Sequence, residues 1–249
     1  MAIRPLWAPK ELDTPEQMIA EARKAFFVMF GFMVVVWVLQ IVNWMDGQHL
    51  SADYGVVPHD VSRLQDIFAA PFLHFSWAHI ESNSGPLFVF GFLAAYRGVV
   101  RFLWLTLLVT VTSGMAVWIF QGSNTVGVGA SGVIFGYFGY VVLRGVFDRH
   151  LIDTLIGLVM AASFAYILTV AVPGTPGVSW LAHLGGLVGG VAGAWLLRDR
   201  RPAGAAATVP AGPAPDPVFG GGGAPAPSAP GKELDRSDLH KELGDLGLL

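Results

Sequence analysis

The sequence contains no cysteine, and only 13% of its 249 residues are charged. Without cysteine the chain can form no disulfide, no thiolate nucleophile and no cysteine-based metal site. The net charge of −3 is too small to indicate a nucleic acid partner. Hydrophobic residues make up 53% of the chain, above the usual range of soluble proteins, and this indicates a membrane protein.

Six weakly charged stretches approach the length of about 20 residues that a helix needs to cross a bilayer. They lie near residues 25–45, 79–96, 101–120, 131–147, 154–172 and 178–197. The first stretch is too long for the hydrophobic region of a cleaved signal peptide, and charged residues precede it. We therefore predict an all-α, polytopic membrane protein with six transmembrane helices.

The basic residues predict the orientation of these spans. One side of the membrane would collect Arg23, Lys24, Arg97, Arg101, Arg144, Arg149, Arg198, Arg200 and Arg201. The opposite side would carry only Arg63. Because basic residues favour the cytoplasmic side, both termini are predicted to be cytoplasmic, in a plasma or inner membrane.

The chain divides into four predicted segments. Residues 1–24 form a cytoplasmic lead, in which Thr14, Pro15 and Gln17 are typical of a helix start. Residues 25–197 form the six-helix domain, and its outer loop from Asp46 to about Trp77 is long enough to predict structure of its own. Residues 198–231 are rich in alanine, proline and glycine and are predicted to be a disordered linker. Residues 232–249 form a charged tail that could contain a short helix.

Four polar residues are predicted to lie at similar depth, near the outer ends of three spans. His79 and Asn83 are four residues apart and share one helix face, while Ser131 and His183 each begin another helix. A polar group inside lipid is costly unless it is paired or functional. Serine together with histidine is the smallest set that makes a hydroxyl group nucleophilic.

Small residues predict that the helices bearing Ser131 and His183 approach closely. Gly129 and Gly132 would also free the backbone around the serine. The two faces that would meet carry His183, Gly186, Gly190 and Ala194 on one helix and Ser131, Gly132, Phe135 and Gly139 on the other.

Each of these residues has an alternative interpretation. Ser131 could be only a helix N-cap, and His183 could be a buried histidine that bonds a backbone carbonyl. His74, His79 and His183 could instead form a zinc site, which would leave Ser131 and Asn83 without a role. The glycines alone would also suit the helix packing of a small transporter.

The motifs together resemble the rhomboid family of intramembrane serine proteases. They are Gly129-Ala130-Ser131-Gly132, the Ala-His-x-x-Gly-x-x-x-Gly run that ends at Gly190, and His74-x-x-x-x-His79-x-x-x-Asn83. The resemblance covers about residues 25–197. It implies a six-helix rhomboid bundle and a catalytic dyad, with Ser131 as the nucleophile and His183 as the general base. It also implies that His79, Asn83 and the backbone N–H of Ser131 stabilise the oxyanion.

The resemblance further implies that the partners are the lipid bilayer and single-pass transmembrane protein substrates, cleaved near the outer leaflet without a cofactor or metal. The chain departs from the family pattern at Phe135, where many members have a tyrosine that packs on the catalytic histidine. It also lacks an acidic residue that is common near residues 94–101. A catalytically silent relative would have lost the serine or the histidine. A transporter would have charges at the membrane midplane or paired broken helices, and neither occurs here.

Overall fold

The computed structural model describes residues 14–175 and 177–199, and in this part of the chain the regular structure is helical. Apart from the helices it contains one isolated antiparallel bridge between Val56 and Gly127. The predicted all-α class is therefore confirmed. The α-helices are α1 (Pro15–Met45), α2 (His49–Tyr54), α3 (Trp77–Ala95), α4 (Val99–Phe120), α5 (Ser131–Asp148), α6 (Leu151–Ser163) and α7 (Trp180–Leu196). Three 3₁₀ helices span Val61–Phe68, Ala70–Phe72 and Ala165–Val170.

Hydroxyl side chains cap the N-termini of three of the α-helices. The side chains of Thr14, Ser76 and Ser179 each accept a hydrogen bond from the backbone N–H three residues later, as N-caps do. The helix that begins after Thr14 continues without a break to Met45, so the predicted lead helix and the first span are one helix. Residues 1–13 of the lead, the linker after residue 199 and the tail at 232–249 lie outside the described residues.

The long helices coincide with five of the six apolar stretches, and the fifth stretch is broken. The stretch predicted at 154–172 is not one continuous α-helix, because α6 ends at Ser163 and a tighter 3₁₀ helix follows it. Phe164, between the two, leaves the helical conformation while its ring packs edge-on against Phe90 at 4.8 Å. Of the described helices, α1 and α4 are long and apolar enough to cross a membrane, and α6 and α7 are shorter apolar helices.

Helix α5 lies at the centre of the bundle, and its residues from Gly132 to Val141 are all buried. It packs against α3, α4, α6 and α7. The hydrophobic cluster around it includes buried side chains from α1, α3 and α4. The first residue of the central helix, Ser131, therefore stands at one end of the bundle and within reach of several elements.

Ion pairs fill the other end of the bundle. Asp153 at the start of α6 pairs with Arg97 and Arg144, and Arg101 pairs with Asp199 at 2.6 Å. Arg101 lies in the first turn of α4, where the span predicted at 101–120 begins, and is 2% exposed. These pairs join the connection between α3 and α4 to α5 and α6, and they join α4 to the residues after α7. Removing one partner of such a pair would leave an uncompensated charge.

Candidate active site

The outer loop supports the segment that leads into α5. Val56 and Gly127 exchange two backbone hydrogen bonds of 2.9 Å each. The N–H of Gly129 donates to the carbonyl oxygen of Ala70, also at 2.9 Å. The long loop thus has the structure of its own that its length predicts. Its contact with the segment before α5 was not predicted, because backbone hydrogen bonds leave no residue pattern.

Gly129 brings His79 and Asn83 next to the start of α5. Its φ of +120° lies in a region that other residues rarely adopt. A Cβ atom at this position would lie 2.6 Å from Cε1 of His79 and 3.8 Å from Nδ2 of Asn83. The two predicted oxyanion donors therefore lie beside the backbone two residues before Ser131.

His74 is fully buried beside the same backbone. Its Nε2 lies 3.1 Å from Nδ2 of Asn83 and accepts the N–H of Ala130 at 3.4 Å. Burial, with a smaller effect from neighbouring His79, lowers the pKa of His74 from 6.5 to about 3. The ring is therefore neutral near pH 7. One hydrogen of the Asn83 amide is directed to His74, which leaves the second hydrogen for another acceptor.

Ser131 occupies the first position of α5 and is not its N-cap. The N-cap is Ala130, so the interpretation of Ser131 as only a cap is wrong. The Oγ atom of Ser131 lies 2.9 Å from Nε2 of His183. Because the first backbone bond of the helix runs from Ile134 to Ala130, the N–H of Ser131 lies at the unpaired, positive end of the helix.

His183 uses both of its ring nitrogens and is 2% exposed. Opposite Ser131, its Nδ1 lies 2.7 Å from the carbonyl oxygen of Val170. The ring of Phe135 stacks on the imidazole, with 4.3 Å between centroids and 14° between planes. The alternative interpretation of His183 is thus correct in part, because the histidine bonds a carbonyl and a serine at once. Phenylalanine makes this stacking contact without a hydroxyl group.

Glycines set the distance between α5 and α7. A Cβ atom on Gly186 would overlap the carbonyl oxygen of Gly132, and a Cβ on Gly190 would overlap that of Gly136. Gly136 was not among the residues predicted for this contact. The signal was available, because Gly132-x-x-x-Gly136 repeats the spacing of Gly186-x-x-x-Gly190.

A cavity of about 1290 Å³ opens onto these residues, and its lining includes Ser131, His183, His79 and Asn83. Residues of the outer loop, α3, α4, the segment before α5, the 3₁₀ helix at 165–170 and the start of α7 complete the wall. Within the described parts of the chain, no group of three histidine or acidic residues could hold a metal ion. His74, His79 and His183 do not form such a group in this part of the chain.

Comparison with known proteins assigns the family. The Rhomboid domain matches residues 61–200, which is more than half of the chain. The chain belongs to the rhomboid family. Members of this family are generally intramembrane serine proteases. The matched residues include all four side chains of the predicted site.

Several known proteins are similar to this chain. An uncharacterized protein of Mycobacterium bovis is 35% identical over 174 residues, which cover 67% of this chain and 72% of that protein. An uncharacterized protein of Mycobacterium leprae is 33% identical over the same length, 68% of its own chain. The chloroplastic Rhomboid-like protein 11 of Arabidopsis thaliana is 32% identical over 152 residues, which cover 56% of this rhomboid and 54% of the plant protein.

Proposed function

We propose that this rhomboid is an intramembrane serine endopeptidase that cleaves transmembrane segments of single-pass membrane proteins near the outer leaflet. The observation that carries the proposal is the 2.9 Å contact between Oγ of Ser131 and Nε2 of His183. A hydroxyl at this distance from an unprotonated imidazole nitrogen can lose its proton as it attacks. The surrounding donors and the open cavity give the reaction a place for its substrate and for water.

The reaction begins when Oγ of Ser131 attacks the carbonyl carbon of the scissile peptide and Nε2 of His183 takes the hydroxyl proton. The new C–O bond turns the carbonyl oxygen into an oxyanion, which accepts hydrogen bonds from the N–H of Ser131 and from Asn83 and His79. Removal of one such donor costs about 10²–10³ in rate. His183 then gives its proton to the leaving amine as the C–N bond breaks. Water hydrolyses the resulting ester, with His183 again as the base.

The membrane setting follows from the two ends of the bundle. In the proposed arrangement α1, α3, α4, α5, α6 and α7 cross the bilayer, and the end with the active site faces the outer leaflet. The end with the ion pairs, and both termini, face the cytoplasm because the arginines concentrate there. A substrate helix must unwind before its carbonyl reaches Ser131. Glycine near the cleavage site lowers that cost, because it is a poor helix former.

The proposal is tested by labelling the full-length, detergent-solubilised protein with a fluorophosphonate, which reacts with activated serines. We expect the wild type and Ser123→Ala, which alters an exposed serine, to be labelled. Ser131→Ala and His183→Ala should not be labelled and should not cleave a single-pass substrate in liposomes. Cleavage by purified Ser131→Ala would overturn the mechanism. A folded wild type that neither labels nor cleaves would overturn the proposed activity in favour of a silent, substrate-binding relative.

A further inference from the structure

The hydrogen bond from His183 to Val170 decides which ring nitrogen carries the proton. A backbone carbonyl can only accept a hydrogen bond, so Nδ1 of His183 must be the donor in the 2.7 Å contact. A neutral imidazole has one N–H, and Nε2 is therefore left with its lone pair directed at Ser131. This is the tautomer that a general base needs. With both nitrogens occupied, the ring has no position left for a carboxylate partner.

The carbonyl that fixes the tautomer belongs to a short 3₁₀ segment in which few side chains are buried. Val170 is the last residue of the 3₁₀ helix that follows the break in α6. Within this helix Tyr166 is 61% exposed and Leu168 is 41% exposed, while Ile167 is buried. The N–H of Ala171 closes the segment by donating to the carbonyl of Leu168 at 3.1 Å. A short 3₁₀ helix with one buried side chain can shift more easily than the central helices that bear Ser131 and His183.

We propose that the backbone carbonyl of Val170 is the positioning group of the dyad, in the place that the aspartate has in a Ser-His-Asp triad. The inference rests on the proposed function, since it concerns the base of that same reaction. Proton transfer from Ser131 then depends on the conformation of residues 165–170. When the carbonyl of Val170 accepts the hydrogen bond from Nδ1, Nε2 of His183 is the proton acceptor. When this segment moves, the ring can rotate or change tautomer, and Ser131 loses its base.

Proline at position 171 would turn this carbonyl away, and it would also remove the N–H that Ala171 donates to Leu168, so both effects loosen the same segment. A residue that precedes proline is disfavoured in the helical region, so Ala171→Pro drives Val170 toward extended ψ values and rotates its carbonyl. The φ of −84° at position 171 is close to the value that proline fixes, so the ring itself adds little backbone strain. The matched control is Ala171→Val, which adds a side chain of similar size and leaves the torsion of Val170 free.

We expect Ala171→Pro to lower kcat by about 10² or more relative to Ala171→Val, with KM little changed. A triad that loses the partner fixing its histidine tautomer falls by up to about 10⁴. Thermal unfolding of both variants establishes that they are folded. A folded Ala171→Pro protein with the kcat of Ala171→Val would overturn the inference.

A spectroscopic measurement on the full-length wild type tests the same point without a variant at 171. In ¹⁵N-histidine-labelled protein, the signals lost in His183→Ala identify His183, and their shifts report which nitrogen is protonated. We expect Nδ1–H and an unprotonated Nε2. Protonation at Nε2 would overturn the inference. This measurement does not depend on whether the Ala171→Pro variant folds. A wild type that shows Nδ1–H but neither reacts with the fluorophosphonate nor cleaves a single-pass substrate would instead refute the proposed protease activity.

Discussion

Replacing Gly186 with alanine tests whether the contact between α5 and α7 sets the geometry of the dyad. A Cβ atom on Gly186 would overlap the carbonyl oxygen of Gly132, far inside the 3.0 Å that real Cβ atoms keep from other atoms. The obstructing atom is part of the backbone, so no side-chain rotation can relieve the overlap. The two helices must separate, by about 1 Å.

The separation acts directly on the reacting groups. Gly132 follows Ser131 in the chain, and Gly186 lies one helical turn after His183. Moving α7 away would lengthen the 2.9 Å contact between Oγ and Nε2 beyond hydrogen-bond range. A misplacement of about 1 Å costs about 10²-fold in rate. Overpacking of this kind also lowers the free energy of unfolding by about 1–3 kcal/mol.

The assay compares cleavage of a single-pass substrate in proteoliposomes, fluorophosphonate labelling and thermal unfolding. The control is Gly31→Ala in α1, because a Cβ atom there meets nothing within 4 Å. This control should keep the wild-type rate, and its stability should be equal or slightly higher since alanine is the better helix former. A Gly186→Ala protein with wild-type cleavage and stability would refute the idea that the glycine contact positions the dyad.

Two further predictions concern Phe135 and His74. Phe135→Leu should lower kcat several-fold, because the stacked ring that holds the imidazole of His183 contributes about 0.5–1.5 kcal/mol beyond its buried area, while Phe135→Tyr should keep the rate. Equal cleavage rates for the two variants would contradict a positioning role for the ring. For His74, the pKa is about 3 in the folded protein and about 6.5 in the unfolded chain. Between these pH values the unfolded state binds more protons than the folded state, so the free energy of unfolding falls as the pH decreases through this window. The midpoint of thermal unfolding should therefore fall less steeply with acidification in His74→Gln than in the wild type, and parallel profiles would show that burial does not keep His74 neutral.

The contact between Ser131 and His183 could be predicted from the sequence, because both the identity of the two side chains and the spacing of the glycines indicate it. Glycines at positions three and four residues apart indicate a close helix contact, and each of the two side chains lies at the start of such a face. His79 and Asn83 could be placed on one helix face by their spacing alone. In each case the information lies in which residue types recur at helical intervals.

The contacts made by backbone groups were beyond prediction, for a physical reason. Every residue has a carbonyl and almost every residue an N–H, so the sequence does not mark Val170 as the partner of His183 or Ala70 as the partner of Gly129. The break in α6 was missed for a related reason. Residues 154–172 carry no charged side chain and contain no proline or glycine near Phe164, so hydropathy alone indicates one continuous helix.

A neutral carbonyl beside the histidine suits the surroundings of this site. A carboxylate would stabilise the imidazolium that forms during the reaction more strongly, because hydrogen bonds to charged groups are about twice as strong. It would also have to be buried next to a ring that is only 2% exposed, at a desolvation cost of several kcal/mol per ion. The carbonyl of Val170 fixes the same tautomer without a buried charge. Compared with a carboxylate, the carbonyl gives a slower reaction but a more stable resting site. The orientation of His183 then depends on the conformation of residues 165–170.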